Sequence, residues 1–93
     1  MSKKTPFDPM SRAEEALFLL VRELVDCPDA VLIVRTDTSG TMTVLTVRVA
    51  RYDMGKVLGR KGSKIDAIRI LWEGIAAKYG RSIKIEVPEP GVD

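Results

Sequence analysis

The 93-residue sequence contains no histidine. That removes the commonest general base and the commonest metal ligand. Its one cysteine, Cys27, excludes an internal disulfide and fits a reducing cytoplasm. A zinc site would have to be built almost entirely from carboxylates. Only five aromatic residues are present (Phe7, Phe18, Tyr52, Trp72 and Tyr79), too few for a row of stacking platforms. No apolar run approaches the roughly 18 residues of a membrane span. The basic start is followed by no hydrophobic region, so it is not a secretory signal. These absences describe a cytoplasmic, non-catalytic chain with no cofactor, no metal and no membrane segment.

With 45% hydrophobic and 30% charged residues, the chain has the composition of one globular domain. Net charge is only +2, but its distribution is uneven. Residues 1–50 and 65–93 each carry −1, whereas residues 51–64 carry +4, from Arg51, Lys56, Arg60, Lys61 and Lys64 against Asp53. A basic patch on a near-neutral body is the footprint of a polyanionic partner; a solvated charged face is the alternative.

Periodicity predicts the elements. Pro6, Pro9 and the lack of a pattern make residues 1–10 a flexible leader, with packing of Phe7 on the domain as the alternative. Ser11 and Glu14 match a capping box that opens a helix to about residue 26, with Ala13, Ala16, Leu17, Leu20, Val21 and Leu24 on its apolar face. Cys27, near that face, is expected to be a buried thiol. Residues 30–34 and 42–50 read as two strands of a hairpin, the second with Leu45, Val47 and Val49 on one face. Asp53 is placed to cap a short helix over residues 54–58, which Gly59 ends. A long helix follows from Ser63 to about Tyr79. Ile65, Ile68, Leu71, Trp72, Ile75, Ala76 and Tyr79 form its core stripe, and Ala67, Ile70, Gly74 and Ala77 a second, opposite stripe open to a partner or to solvent. Residues 82–87 alternate as a third strand, Ile83, Ile85 and Val87 inward. The order α-β-β-α-α-β predicts an α+β domain over residues 11–88, followed by a frayed tail at 89–93. Its mixed three-stranded sheet carries the helices on one face, with strands two and three parallel.

Chemistry concentrates in Gly59-Arg-Lys-Gly62. A nucleotide-hydrolysing phosphate loop needs Gly-Lys-Ser/Thr, but here Gly62 is followed by Ser63 and Lys64 in the wrong order, and the dinucleotide fingerprint also fails. What remains is a turn between two helices, with two glycines bracketing two cations. In this setting the sequence resembles the KH domain family, in its type II form, and most of all the small single-domain bacterial proteins of the KhpA type. The resemblance covers about residues 11–87. It is carried by residues 24–29, by Val47-Arg-Val-Ala50, and by the run from Asp53 to Gly62 with Ile65 and Ile68; the leader and Trp72 depart from it.

The resemblance implies a Gly-x-x-Gly loop that clamps the backbone of single-stranded RNA. Gly59 and Gly62 would permit close approach. Arg60, Lys61, Ser63, Lys64 and Lys56 would meet phosphates with charges and helix-start amides. Val57, Leu58 and Ile65, with Val47 and Val49 opposite, would line a groove for bases, although the same residues can serve as core. One groove spans about four nucleotides, so the stripe of Ala67, Ile70, Gly74 and Ala77 implies pairing with a second copy or with a larger KhpB-type partner. The family also implies an RNA chaperone or post-transcriptional regulator connected with cell shape. The competing reading is a protein-interaction module with little RNA binding of its own.

Overall fold

The computed structural model describes residues 7–90 and has the predicted element order. The elements are α1 (Pro9–Leu24), β1 (Leu32–Asp37), β2 (Met42–Arg48), α2 (Met54–Leu58), α3 (Ser63–Ala77) and β3 (Ser82–Glu86). Most of the expected leader and residues 91–93 of the expected tail lie outside the described residues.

Helix α1 starts three residues earlier than the capping box predicts. Asp8 is the cap, accepting a hydrogen bond from Met10 N–H at 3.1 Å, and Pro9 takes the first helical position, where its missing N–H costs nothing. Ser11 therefore sits inside the helix. Met10, Ala13, Leu17 and Val21 form the buried face, while Ala16 is exposed. The Asp8 carboxylate also accepts from Arg35 on β1 at 2.8 Å, and Arg35 forks onto Asp37 at 3.2 Å. Hydrogen bonding to this guanidinium holds both carboxyls below the usual range and raises Arg35 in turn. The tie between α1 and β1 is thus complete at neutral pH and is lost only as acid carries the pH down through those lowered values.

Strand β2 is the middle of the sheet. It pairs antiparallel with β1 (Ile33 opposite Val47) and parallel with β3 (Leu45 opposite Ile85). β1 begins later than predicted because Pro28–Ala30 forms a 3-10 turn first. Alternation buries Thr43, Leu45 and Val47 of β2, and Val49 just beyond it, with Ile83 and Ile85 of β3 under the helices. Val44, Thr46, Arg48, Lys84 and Glu86 occupy the other face.

Helix α3 lays Ile65, Ile68, Trp72 and Ala76 on this core. Trp72 donates its indole N–H to the Ala13 carbonyl of α1 at 2.9 Å, a buried bond joining the two long helices. Leu71, predicted beside Trp72 on the core stripe, is instead 62% exposed, and Tyr79 is also exposed. One residue turns the helix by 100°, and the indole takes the inward position. The Phe7 ring meets Tyr79 in a tilted contact at 5.9 Å while remaining 60% exposed. Trp72→Phe is expected to lose the indole bond and part of the ring contact, about 2 kcal/mol together. Urea denaturation checks this as a lower midpoint at unchanged slope.

Cys27 is exposed, contrary to expectation, because α1 ends at Leu24 and the thiol lies on the following loop. Among the described residues, no helix is long and apolar enough to cross a membrane, and no group of three or more His, Cys, Asp or Glu could hold a metal ion.

Candidate nucleic-acid interface

The loop at residues 59–62 is held from both sides. On its N-terminal side, Asp53 sits in the 3-10 turn Arg51–Asp53. Its side chain makes no helix-capping bond, contrary to the prediction. Instead the carboxylate is buried and accepts two distant backbone N–H groups, Asp26 at 3.1 Å and Cys27 at 3.0 Å. That bond pair fixes the start of α2 to the end of α1. On the other side, Ile65 and Ile68 root α3 in the core.

Between these anchors the chain turns through left-handed conformations. Gly59 closes α2 with φ +75° and ψ 174°, its N–H bonded to Gly55 carbonyl at 2.9 Å. Lys61 has φ 55° and Gly62 has φ 77°. For lysine this costs on the order of 1 kcal/mol. The two glycines are not equivalent. A Cβ on Gly59 would lie 2.6 Å from the Lys64 Cβ and 2.8 Å from its backbone nitrogen, whereas a Cβ on Gly62 meets nothing within 4 Å. The amides of Gly62 and Ser63 bond within the loop, to Gly59 and Arg60 carbonyls, so neither is the free phosphate donor that the sequence suggested.

The five cations of this stretch also divide. Lys56 pairs with Asp26 at 3.3 Å and lies 3.8 Å from Asp53. Lys64 donates to the Lys56 carbonyl at 2.8 Å, at the C-terminus of α2. Arg51 donates to the Pro90 carbonyl at 3.3 Å. Arg60 and Lys61 are exposed and have no hydrogen-bond or ion-pair partner among the described residues, so the loop's uncommitted charge is theirs.

The predicted groove residues mostly belong to the core. Val47, Val57, Val49 and Ile65 are buried, because the β2 face and helix faces they occupy pack on one another; only Leu58 keeps part of its surface. The recess lies elsewhere, between α3 and the outer edge of β3. It has a volume of about 610 Å³, with Arg69, Glu73 and Ala77 of α3 facing the strand. Arg69 donates from Nε (3.2 Å) and Nη2 (3.0 Å) to the Ile85 carbonyl, and from Nη1 (3.2 Å) to Asp66. The α3 wall of the recess thus runs from Arg69, in the second turn of the helix that the loop feeds, to Ala77. Sequence reasoning missed Arg69, Glu73 and Lys84. The available signal was the place of β3 at the sheet edge and the i, i+4 spacing of Arg69 and Glu73 on the flank of α3.

Of the second α3 stripe, Ala67, Ile70, Gly74 and Ala77 are all exposed, Ile70 by 69%. Ala77 turns toward the recess, and Leu71 joins the outer face in its place.

A mixed three-stranded sheet, helices on one face and a Gly-x-x-Gly turn between two of them define a KH domain. The model of the KhpA/KhpB KH domain family matches residues 14–87, and the chain belongs to that family. The RNA-binding protein KhpA of Listeria monocytogenes is 34% identical over 76 residues, 82% of this chain and 99% of that protein. That of Clostridium acetobutylicum is 34% identical over 75 residues, 80% of this chain and 97% of its own. That of Chlamydia pneumoniae is 34% identical over 77 residues, 82% and 96%. No solved structure matches the chain significantly.

Proposed function

We propose that this protein binds single-stranded RNA, with the 59–62 loop against the sugar-phosphate backbone and the α3–β3 recess beside the bases. The carrying observation is the pair of exposed cations, Arg60 and Lys61, without a partner among the described residues, on a left-handed turn. The naming of the relatives as RNA-binding proteins supports the same reading. Gly62 leaves open space beside the turn, and Gly59 lets the turn close tightly onto Lys64 of α3. Arg60 and Lys61 give affinity without sequence information, and Leu58 supplies apolar contact. No step of bond chemistry is required, and the activity is that of a binder: an RNA chaperone or post-transcriptional regulator in the cytoplasm. Titrating a labelled single-stranded RNA against the protein tests this. Saturable binding that weakens with salt is expected, and absence of binding at low salt overturns it.

One site of about four nucleotides gives modest affinity, which pairing of two domains raises through effective concentration. Ile70, Leu71, Ala67 and Gly74 form the face for that pairing, with a second copy or a larger KH protein. The exposure of Ile70 and Leu71 on one helix favours it, and equally favours the second reading, in which the domain is chiefly a protein-interaction module. Ile70→Asp is expected to halve the mass found by light scattering while changing stability by less than about 0.5 kcal/mol, as for other exposed positions. An unchanged mass excludes this face as the interface between two copies.

A further inference from the structure

Two carboxylates and three cations line the recess, and one of the carboxylates has no ion-pair partner among the described residues. Arg69 is committed to Ile85 and Asp66, Arg81 donates to Thr43 Oγ1 at 3.2 Å, and Lys84 lies 3.6 Å from Glu86. Glu73, on the α3 wall, has no hydrogen-bond or ion-pair partner among the described residues and is exposed to the recess. An unpaired anion repels phosphate, so a strand bound here must keep its backbone toward Arg60 and Lys61 and turn a base edge toward Glu73. Glu73 lies eleven residues beyond Gly62 on the helix, about 16 Å along its axis, within the span of a strand gripped at the loop.

Building on the RNA-binding reading, we infer that Glu73 is a specificity-determining residue that selects bases carrying an exocyclic amino group and rejects uracil. An ionised carboxylate only accepts hydrogen bonds. Cytosine offers its N4 amino group, as adenine offers N6. Uracil has a carbonyl at that position, and its single imino donor is flanked by two oxygens that face the carboxylate with like partial charge. Cytosine and uracil are of equal size and similar stacking, so their comparison isolates the amino group.

The test is binding of seven-nucleotide oligocytidylate and oligouridylate, by fluorescence anisotropy at one low salt concentration, to the protein and to Glu73→Gln and Glu86→Gln. The unsubstituted protein is expected to bind the cytidylate roughly tenfold more tightly, the size of one hydrogen bond to a charged acceptor. Glu73→Gln offers both a donor and an acceptor, and the ratio is expected to fall to about twofold or less. Glu86→Gln removes the same charge from the opposite wall and should strengthen both oligomers while leaving the ratio intact. Equal binding of the two oligomers to the unsubstituted protein, or a ratio that persists in Glu73→Gln, overturns this inference while leaving RNA binding in place. Failure of both oligomers to bind overturns the two together.

Discussion

The double substitution Arg60→Asp, Lys61→Asp is expected to weaken RNA binding by more than about 100-fold at moderate salt. It reverses the two uncommitted cations of the loop and shifts its local charge by four. The remaining cations cannot compensate, since Lys56 and Lys64 are held by Asp26 and by the Lys56 carbonyl. Each phosphate contact on a single strand contributes a slope of about −0.7 in log K against log salt, so two lost contacts should flatten it by about 1.4. The fold should survive. Neither side chain has a partner among the described residues, and Asp tolerates the left-handed conformation of position 61 better than most residues. Anisotropy titrations at several salt concentrations, with circular dichroism as a control, check both parts. Affinity retained within threefold would remove the loop from the interface.

Gly59→Ala is expected to cost about 2–4 kcal/mol of stability, against about 1 kcal/mol for Gly62→Ala. At φ +75° and ψ 174°, position 59 occupies a region essentially confined to glycine, and its new Cβ would collide with the backbone nitrogen and Cβ of Lys64. Neither is the free end of a flexible side chain, so the α2–α3 junction must open. Position 62, at φ 77° and ψ 11°, is ordinary left-handed helix with open space beside it. Urea denaturation of the two variants measures the difference. Equal losses would mean that the glycines are needed for φ alone and that the tight approach of Lys64 is immaterial. RNA affinity should follow the same order, because only the opened junction separates Arg60 and Lys61 from α3.

Much of the fold was legible because alternation in β2 and β3 and the apolar stripe of α3 are local signals, and right-handed crossover rules then make β2 and β3 parallel. The start of α1 was misread because Ser11 and Glu14 imitate a cap, while the true cap, Asp8, is also engaged by Arg35, 27 residues away. The loop itself was legible, since two glycines and two cations are contiguous. Which cations stay free was not, because the pairing of Lys56 with Asp26 joins residues 30 apart. The recess between α3 and β3 was least legible. Its walls are an edge strand and a helix flank that no periodicity marks, whereas Val47 and Val57, apolar and near the loop, were drawn into the core.

The outer edge of β3 is an unpaired row of backbone groups, and such edges recruit strands from other chains into aggregates. Here the guanidinium of Arg69 covers the Ile85 carbonyl near the middle of that row. An incoming strand would have to displace a two-pronged donor, whereas a nucleotide base presented edgewise need not form a ladder at all. The same side chain that shapes the recess thus guards the concentrated protein against polymerising through it.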